Sequence, residues 1–314
     1  MPIVERLCEV TAGPIARIDR VVQDLTSRSR AGVRGLFDHG CVRLNNEVCT
    51  EPGTGLKVGD IVVVRHDPQT RYREKPRPRE NAAFRLVFED ELLLVVDKAA
   101  AILTVPTDRG ETNSLLDAVG QYLNRRGHRG RAAVVHRLDR GTSGLLVFGK
   151  NPQVARELRN QFRVRKAERE YAAIVAGTLA REEGTFATRL GTTKSLQRYS
   201  IREDQQDEVE EGEPAVTHFR VEFRLREATY VRVRLETGRR NQIRVHFAEA
   251  GHPVLGDDRY GVDRARHPAW SANRMALHAA VLGFEHPRSH EWLQFDAPLP
   301  PEFERFIART RTNG

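Results

Sequence analysis

Cysteine is scarce in this chain of 314 residues, and its few thiols are badly spaced for joint work. Cys8, Cys41 and Cys49 form an odd set with no C-x-x-C spacing. That argues against a disulfide framework and a thiolate zinc site, and it suits a reducing compartment. His286 and His290 lie four apart without a cysteine or acidic motif beside them, so they read as surface histidines and the expected metal content is none. Long apolar runs are missing too, which argues against a membrane-spanning helix. The first ten residues carry Glu5 and Glu9 and lack an apolar run of signal-peptide length. The expectation is a soluble, cytoplasmic, monomeric protein with no membrane contact.

What the chain has is charge and enough apolar residues for a core: 30% charged and 39% hydrophobic. Lys and Arg number 51 against 43 Asp and Glu, a net charge of +8. A moderate positive excess fits a polyanionic partner such as nucleic acid, and equally an arginine-rich soluble protein.

Residues 66–80, "HDPQTRYREKPRPRE", combine three prolines with alternating charge and almost nothing apolar, which reads as a linker. The expected division is a head at 1–65, a linker at 66–82 and a body at 83–314. In the head, Ile18, Val21, Val22 and Leu25 share one helical face, and a second helix carries Val33, Leu36 and Phe37 before a stop at Gly40. "CVRLNNEVCT" alternates around Asn45-Asn46, a two-residue hairpin turn because asparagine tolerates positive φ. In the body, "NPQVARELRNQF" is a helix with Asn151 as cap and Val154, Leu158 and Phe162 every fourth residue. "RNQIRVHFAEAG" is another, with Asn241 as cap and Gly251 as stop. The acidic stretch "IREDQQDEVEEGE" reads as a solvated loop. Strands and helices mingle without regular βα alternation, so the predicted class is α+β with a largely antiparallel mixed sheet flanked by helices.

One polar constellation stands out, "VVHRLDRGTSGLLVFGK" at 134–150. Asp139 there is an ordinary turn acid by default. Yet Arg137 and Asp139 alternate with Leu138 and so share a face of an extended segment. A carboxylate meant as a nucleophile must stay ionised and aimed, and a neighbouring arginine does both.

"HRLDRGTSGLLVFGK" resembles the signature of the RluA-type family of RNA pseudouridine synthases. "FEDELLLVVDK", "REYAAIVAG", "GRRNQIRVHFAEAGHPVLGDDRYG", "RMALHAAVLGFEHP" and "FDAPLP" resemble its other motifs in order. In the head, "SRS", "GCVRLN" and "VGDIVVV" resemble the S4 RNA-binding domain. The resemblance implies an enzyme converting uridine to pseudouridine in structured RNA, without a cofactor. Asp139 matches the catalytic aspartate, acting through a sugar ester or a glycal. Tyr171 matches the tyrosine over the target base, Arg244 the arginine that pairs with the aspartate, and Arg137 an arginine near the flipped nucleotide. His136 and Thr142 become substrate contacts, and Arg28, Arg30, Arg34 and Arg43 candidate RNA contacts. An S4 head goes more often with large-subunit ribosomal RNA; transfer RNA, or a non-catalytic ribosome-assembly role, are the alternatives. A hydrolytic glycosidase would need a second carboxylate, and the sequence gives no reason to pair Glu236, Asp257 or Asp258 with the site. The chain departs from the family pattern at "KAAA" (98–101), where K-P-A-G is usual, and at Asn241, often histidine. Lys98 itself reads as a strand-end lysine.

Overall fold

The computed structural model describes residues 3–11, 17–70, 72, 83–107, 113–128, 130–193, 195–201 and 212–311. The chain divides into two compact units, Met1–Arg79 and Glu80–Gly314.

Among the described residues of the first unit, helices α1 (Ile18–Thr26) and α2 (Arg30–Asp38) pack on a four-stranded sheet of order β1-β4-β2-β3. These strands are β1 (Val4–Glu9), β2 (Val42–Leu44), β3 (Glu47–Val48) and β4 (Ile61–His66). The predicted helical faces bury Ile18, Val22, Val33, Leu36 and Phe37 against Val62 and Val64. Asn45 and Asn46 take φ of 49° and 71°, the paired positive values a two-residue hairpin needs. The Ser29 hydroxyl caps α2 by accepting from the Gly32 N–H. The head reaches past the expected boundary at 65. His66 closes β4, and the Tyr72 hydroxyl accepts from the Asp67 N–H while its ring packs on the head core. The rest of the expected linker, 71 and 73–82, lies outside the described residues.

Among the described residues, the second unit is built on an eleven-stranded mixed sheet. Its strands are β5 (Phe84–Glu89), β6 (Leu93–Lys98), β7 (Ala133–Val134), β8 (Ser143–Gly149), β9 (Glu168–Ala176), β10 (Glu183–Thr192), β11 (Arg198–Ile201), β12 (Glu213–Leu225), β13 (Ala228–Leu235), β14 (Leu277–Glu285) and β15 (Trp292–Asp296). The main path runs β11-β10-β12-β13-β9-β14-β8-β6-β5, with β15 on β14 and β7 on β8. Every described pairing is antiparallel except β14 with β8. That one crossing explains the glycine of the "TSG" turn. Gly144 has φ of 112°, and a Cβ there would lie 2.2 Å from the Ala279 carbonyl oxygen. Among the described residues the helices of this unit are α3 (Leu115–Arg125), α4 (Pro152–Arg163), α5 (Gln242–Glu249) and α6 (Pro301–Thr310). Asn151 caps α4 as expected, accepting from the Val154 N–H. Asn241 does not cap α5. It sits in the left-handed region at φ 59° with its side chain turned elsewhere. Of the acidic segment, 202–211 fall outside the described residues.

Candidate active site

The segment from His136 to Thr142 belongs to no strand and joins β7 to β8 as an irregular loop. Leu138 anchors it in the core. The buried Thr104 hydroxyl clamps the Leu138 backbone, accepting from its N–H at 3.1 Å and donating to its carbonyl at 2.8 Å. Because neighbours in an extended segment point oppositely, burying Leu138 turns Arg137 and Asp139 outward. The Thr142 N–H then donates to the Asp139 carbonyl at 3.1 Å and closes the turn.

A second set of ties comes from the loop after β6. Lys98, only 1% exposed, donates through Nζ to the carbonyls of Ala99 and Ile102 at 2.8 Å and of Arg140 at 3.4 Å. It is a buried strut under the Asp139 loop, not the solvated strand-end lysine expected. Burial, and then the charge of Arg274, pull its pKa down to about 7, while Asp139 and Asp97 work the other way. Ala101, where the family pattern has glycine, is held at φ 66°.

Arg137, Leu138, Asp139, Thr142, Tyr171, Asn241 and Arg244 line one cleft of about 100 Å³. That is well below the roughly 300–1,000 Å³ of drug-sized ligand sites and gives room for one flat ring. Tyr171 enters from β9, the strand between β13 and β14, paired with Val233 and Ala279. It is 7% exposed, and burial raises its phenol pKa. Arg169 beside it opposes that rise and Asp139 adds to it. Arg244 enters from α5, a helix whose residues 242–247 are all buried. Its Nη1 lies 3.4 Å from Asp139 Oδ2. Burial disfavours the Arg244 charge, but the hydrogen bonds and charge of Asp257, and then Asp139, outweigh it and raise its pKa. Arg137 is exposed at the edge of the cleft.

The structure separates two expected contacts from these sets. His136 is not in the cleft lining. Its ring stacks on Phe162 of α4 at 4.5 Å, and its Nε2 accepts from the Val147 N–H at 3.3 Å. Burial, with Arg169 nearby, pulls its pKa down to about 3, so it is a neutral packing residue. Arg28 folds back onto its own unit, donating to the carbonyls of Asp67, Pro68 and Thr70 and lying over the Tyr72 ring. Its donors satisfy backbone carbonyls, so it braces Asp67, Pro68 and Thr70. Arg30 and Arg34, by contrast, line an open cavity of about 780 Å³ with Arg17, Arg20 and Gln23. Arg43 faces a second cavity of the same unit beside Arg65.

Sequence reasoning missed Asp257, which forms the tightest ion pair with Arg244 at 2.7 Å. It lies thirteen positions away, in the irregular stretch beyond the end of α5, so no periodicity links them.

The profile of the RNA pseudouridylate synthase family matches residues 92–249, and that of the S4 domain matches 16–62. The chain is 34% identical to ribosomal large subunit pseudouridine synthase D of Vibrio cholerae serotype O1, covering 91% of this chain and 88% of the relative. It is also 34% identical to the enzyme of the same name from Zymomonas mobilis, over 92% of each. Among solved structures, human RNA pseudouridylate synthase domain containing 1 superposes with a TM-score of 0.59 at 25% identity, covering 76% of this chain and 91% of that one. The chain therefore belongs to the RluA-type family of RNA pseudouridine synthases, with an S4 domain ahead of the synthase fold. It is an RNA pseudouridine synthase, an isomerase.

Proposed function

We propose that this enzyme isomerises uridine to pseudouridine in large-subunit ribosomal RNA, in the cytoplasm and as a monomer, with Asp139 as nucleophile. The observation that carries the site is convergence. Asp139, Tyr171 and Arg244 come from a loop, a strand and a helix far apart in sequence, yet line one ring-sized cleft. The RNA target is supported by the names of the relatives that match across most of the chain.

A base inside a folded RNA must leave its stack before its sugar can be reached. Tyr171 offers the flipped uracil an aromatic partner, and the exposed Arg137 is available to fill the gap the base leaves. The Asp139 carboxylate acts on the nucleotide and the bond from C1′ to N1 breaks. The base turns, a bond forms from C1′ to C5, and the C5 hydrogen leaves as a proton while N1 gains one. Atoms balance without oxidant, reductant or an added group. Arg244 orients Asp139. Thr142 holds the turn and borders the base. Arg30, Arg34 and Arg43 meet RNA phosphates from the head.

The test is to incubate in vitro transcribed large-subunit rRNA, and separately a tRNA pool, with the enzyme or with Asp139→Asn, then to map pseudouridines. Modification of the rRNA alone, lost in the variant, is the expected result. Modification of tRNA instead would overturn the target, and activity in Asp139→Asn would overturn the nucleophile.

A further inference from the structure

The donors of Arg244 are unevenly shared. Its Nε donates to Asp257 Oδ2 and its Nη2 to Asp257 Oδ1, both at 2.7 Å. Only Nη1 turns to the cleft, divided between Asn241 Oδ1 at 3.2 Å and Asp139 Oδ2 at 3.4 Å. Asp258 also touches Nη2, at 3.5 Å, but its side chain is 93% exposed and the contact is screened. The tight partner of the active-site arginine is thus outside the cleft.

Asp257 is itself fixed. Its side chain is fully buried, and Oδ1 also accepts the backbone N–H groups of Arg259 at 2.8 Å and Tyr260 at 2.9 Å. The Tyr260 ring lies 5.1 Å from the guanidinium carbon. The Tyr260 hydroxyl accepts from Asn241 Nδ2 at 3.1 Å and from the Arg198 N–H at 3.0 Å. Asn241 takes the left-handed conformation that asparagine tolerates better than most residues. Asp257, Tyr260 and Asn241 therefore form a cradle with one orientation for Arg244.

We propose that Asp257 is a positioning residue for catalysis: it grips Arg244 by its Nε–Nη2 edge, so that only Nη1 meets Asp139. This rests on the reading of Asp139 and Arg244 given above. An arginine free to pair bidentately with Asp139 would engage both carboxylate oxygens and blunt the nucleophile. One donor aligns Asp139 Oδ2 and leaves Oδ1 without a protein hydrogen bond among the described residues. Asp257 prevents the bidentate arrangement because breaking its own buried pair would strand a charge.

The experiment is a double-mutant cycle on the full chain: Asp257→Asn, Arg244→Met and both together, assayed for kcat, KM and Tm on in vitro transcribed large-subunit rRNA. In Asp257→Asn the amide oxygen can still accept from the N–H groups of Arg259 and Tyr260, while the amide nitrogen meets Arg244 Nε donor to donor. The expected result is a kcat lower by about 100-fold with KM nearly unchanged. In the Arg244→Met background the same substitution should change kcat by less than about twofold, because its effect runs through Arg244. An equal loss in both backgrounds, or an unchanged kcat in Asp257→Asn, overturns the proposal. Full activity of Arg244→Met would instead overturn the underlying site reading. Should Asp257→Asn fail to fold, Asp257→Glu keeps the charge but moves the grip by about one bond length, roughly 1.5 Å. It should show the same kcat loss, and a wild-type kcat there also overturns the proposal.

Discussion

The arginines of the head cavity and Arg244 of the cleft carry the same group and do opposite kinds of work. Arg17, Arg20, Arg30 and Arg34 line a wide, open cavity together with Asp19, which pairs with Arg17, and Glu51, so the field there is a sum over several charges. Such a field is screened by salt and tolerates the loss of a member. Arg244 is nearly buried, and its donors are divided among Asp257, Asn241 and Asp139. Its contribution depends on geometry, so salt should hardly touch it and one substitution should remove it. RNA affinity and chemical rate are therefore expected to fail separately.

The sharpest separation is Asp139→Asn. Turnover should fall by at least about 10³-fold, while filter binding of the rRNA transcript stays at the wild-type level. Loss of binding along with turnover would merge the two regions and sink the comparison. Next in size is Arg30→Ala with Arg34→Ala. This pair should weaken RNA binding about tenfold and flatten the salt dependence by roughly one to two logarithmic units, with kcat at saturating RNA unchanged. A fall in kcat would mean the head acts on the chemistry.

Where the head responds to salt, the body should respond to acid. Burial lowers the pKa of His136 to about 3, His246 to about 4 and His278 to about 3, each from an ordinary 6.5. Below pH 6.5 the unfolded chain binds protons that the folded body refuses. Their stabilising contribution is complete above about pH 6.5 and is lost progressively as pH falls to about 3. The Tm of the full chain should drop across that window, and less so in His136→Gln; a flat Tm would contradict it. The smallest effect expected is Ala101→Gly. Relief of the positive φ should stabilise the body by up to about 1 kcal/mol, seen as a higher denaturation midpoint at unchanged kcat.

The elements with strong local signals were legible in the sequence. The cap and four-residue spacing of α4 appear where expected, as do the Asn45-Asn46 hairpin and the paired faces of α1 and α2. The alternation across Arg137, Leu138 and Asp139 also holds in burial, with Leu138 buried in the core and its two neighbours more exposed. Residues whose partners come from elsewhere in the chain were misread. His136 sits in a catalytic-looking motif, but Phe162 and Val147 claim its ring. Arg28 lies beside Arg30 in sequence, yet carbonyls about forty positions away take its donors. Lys98 ends a strand, and the carbonyls of Ala99 and Ile102 just after it, joined by that of Arg140 from the returning Asp139 loop, make that end an interior.

By itself, then, the sequence determined periodicity, caps, turn chemistry and the order of motifs, because those rest on neighbours within a few residues. It therefore determined the two-part organisation and offered Asp139, Tyr171 and Arg244 as candidates. Which polar groups share the cleft was decided only by the tertiary structure. Hydrogen bonds and burial depend on what the sheet brings within about 3 Å, not on spacing along the chain. The same folding turned Asp257, an acid with no local reason to matter, into the grip on Arg244.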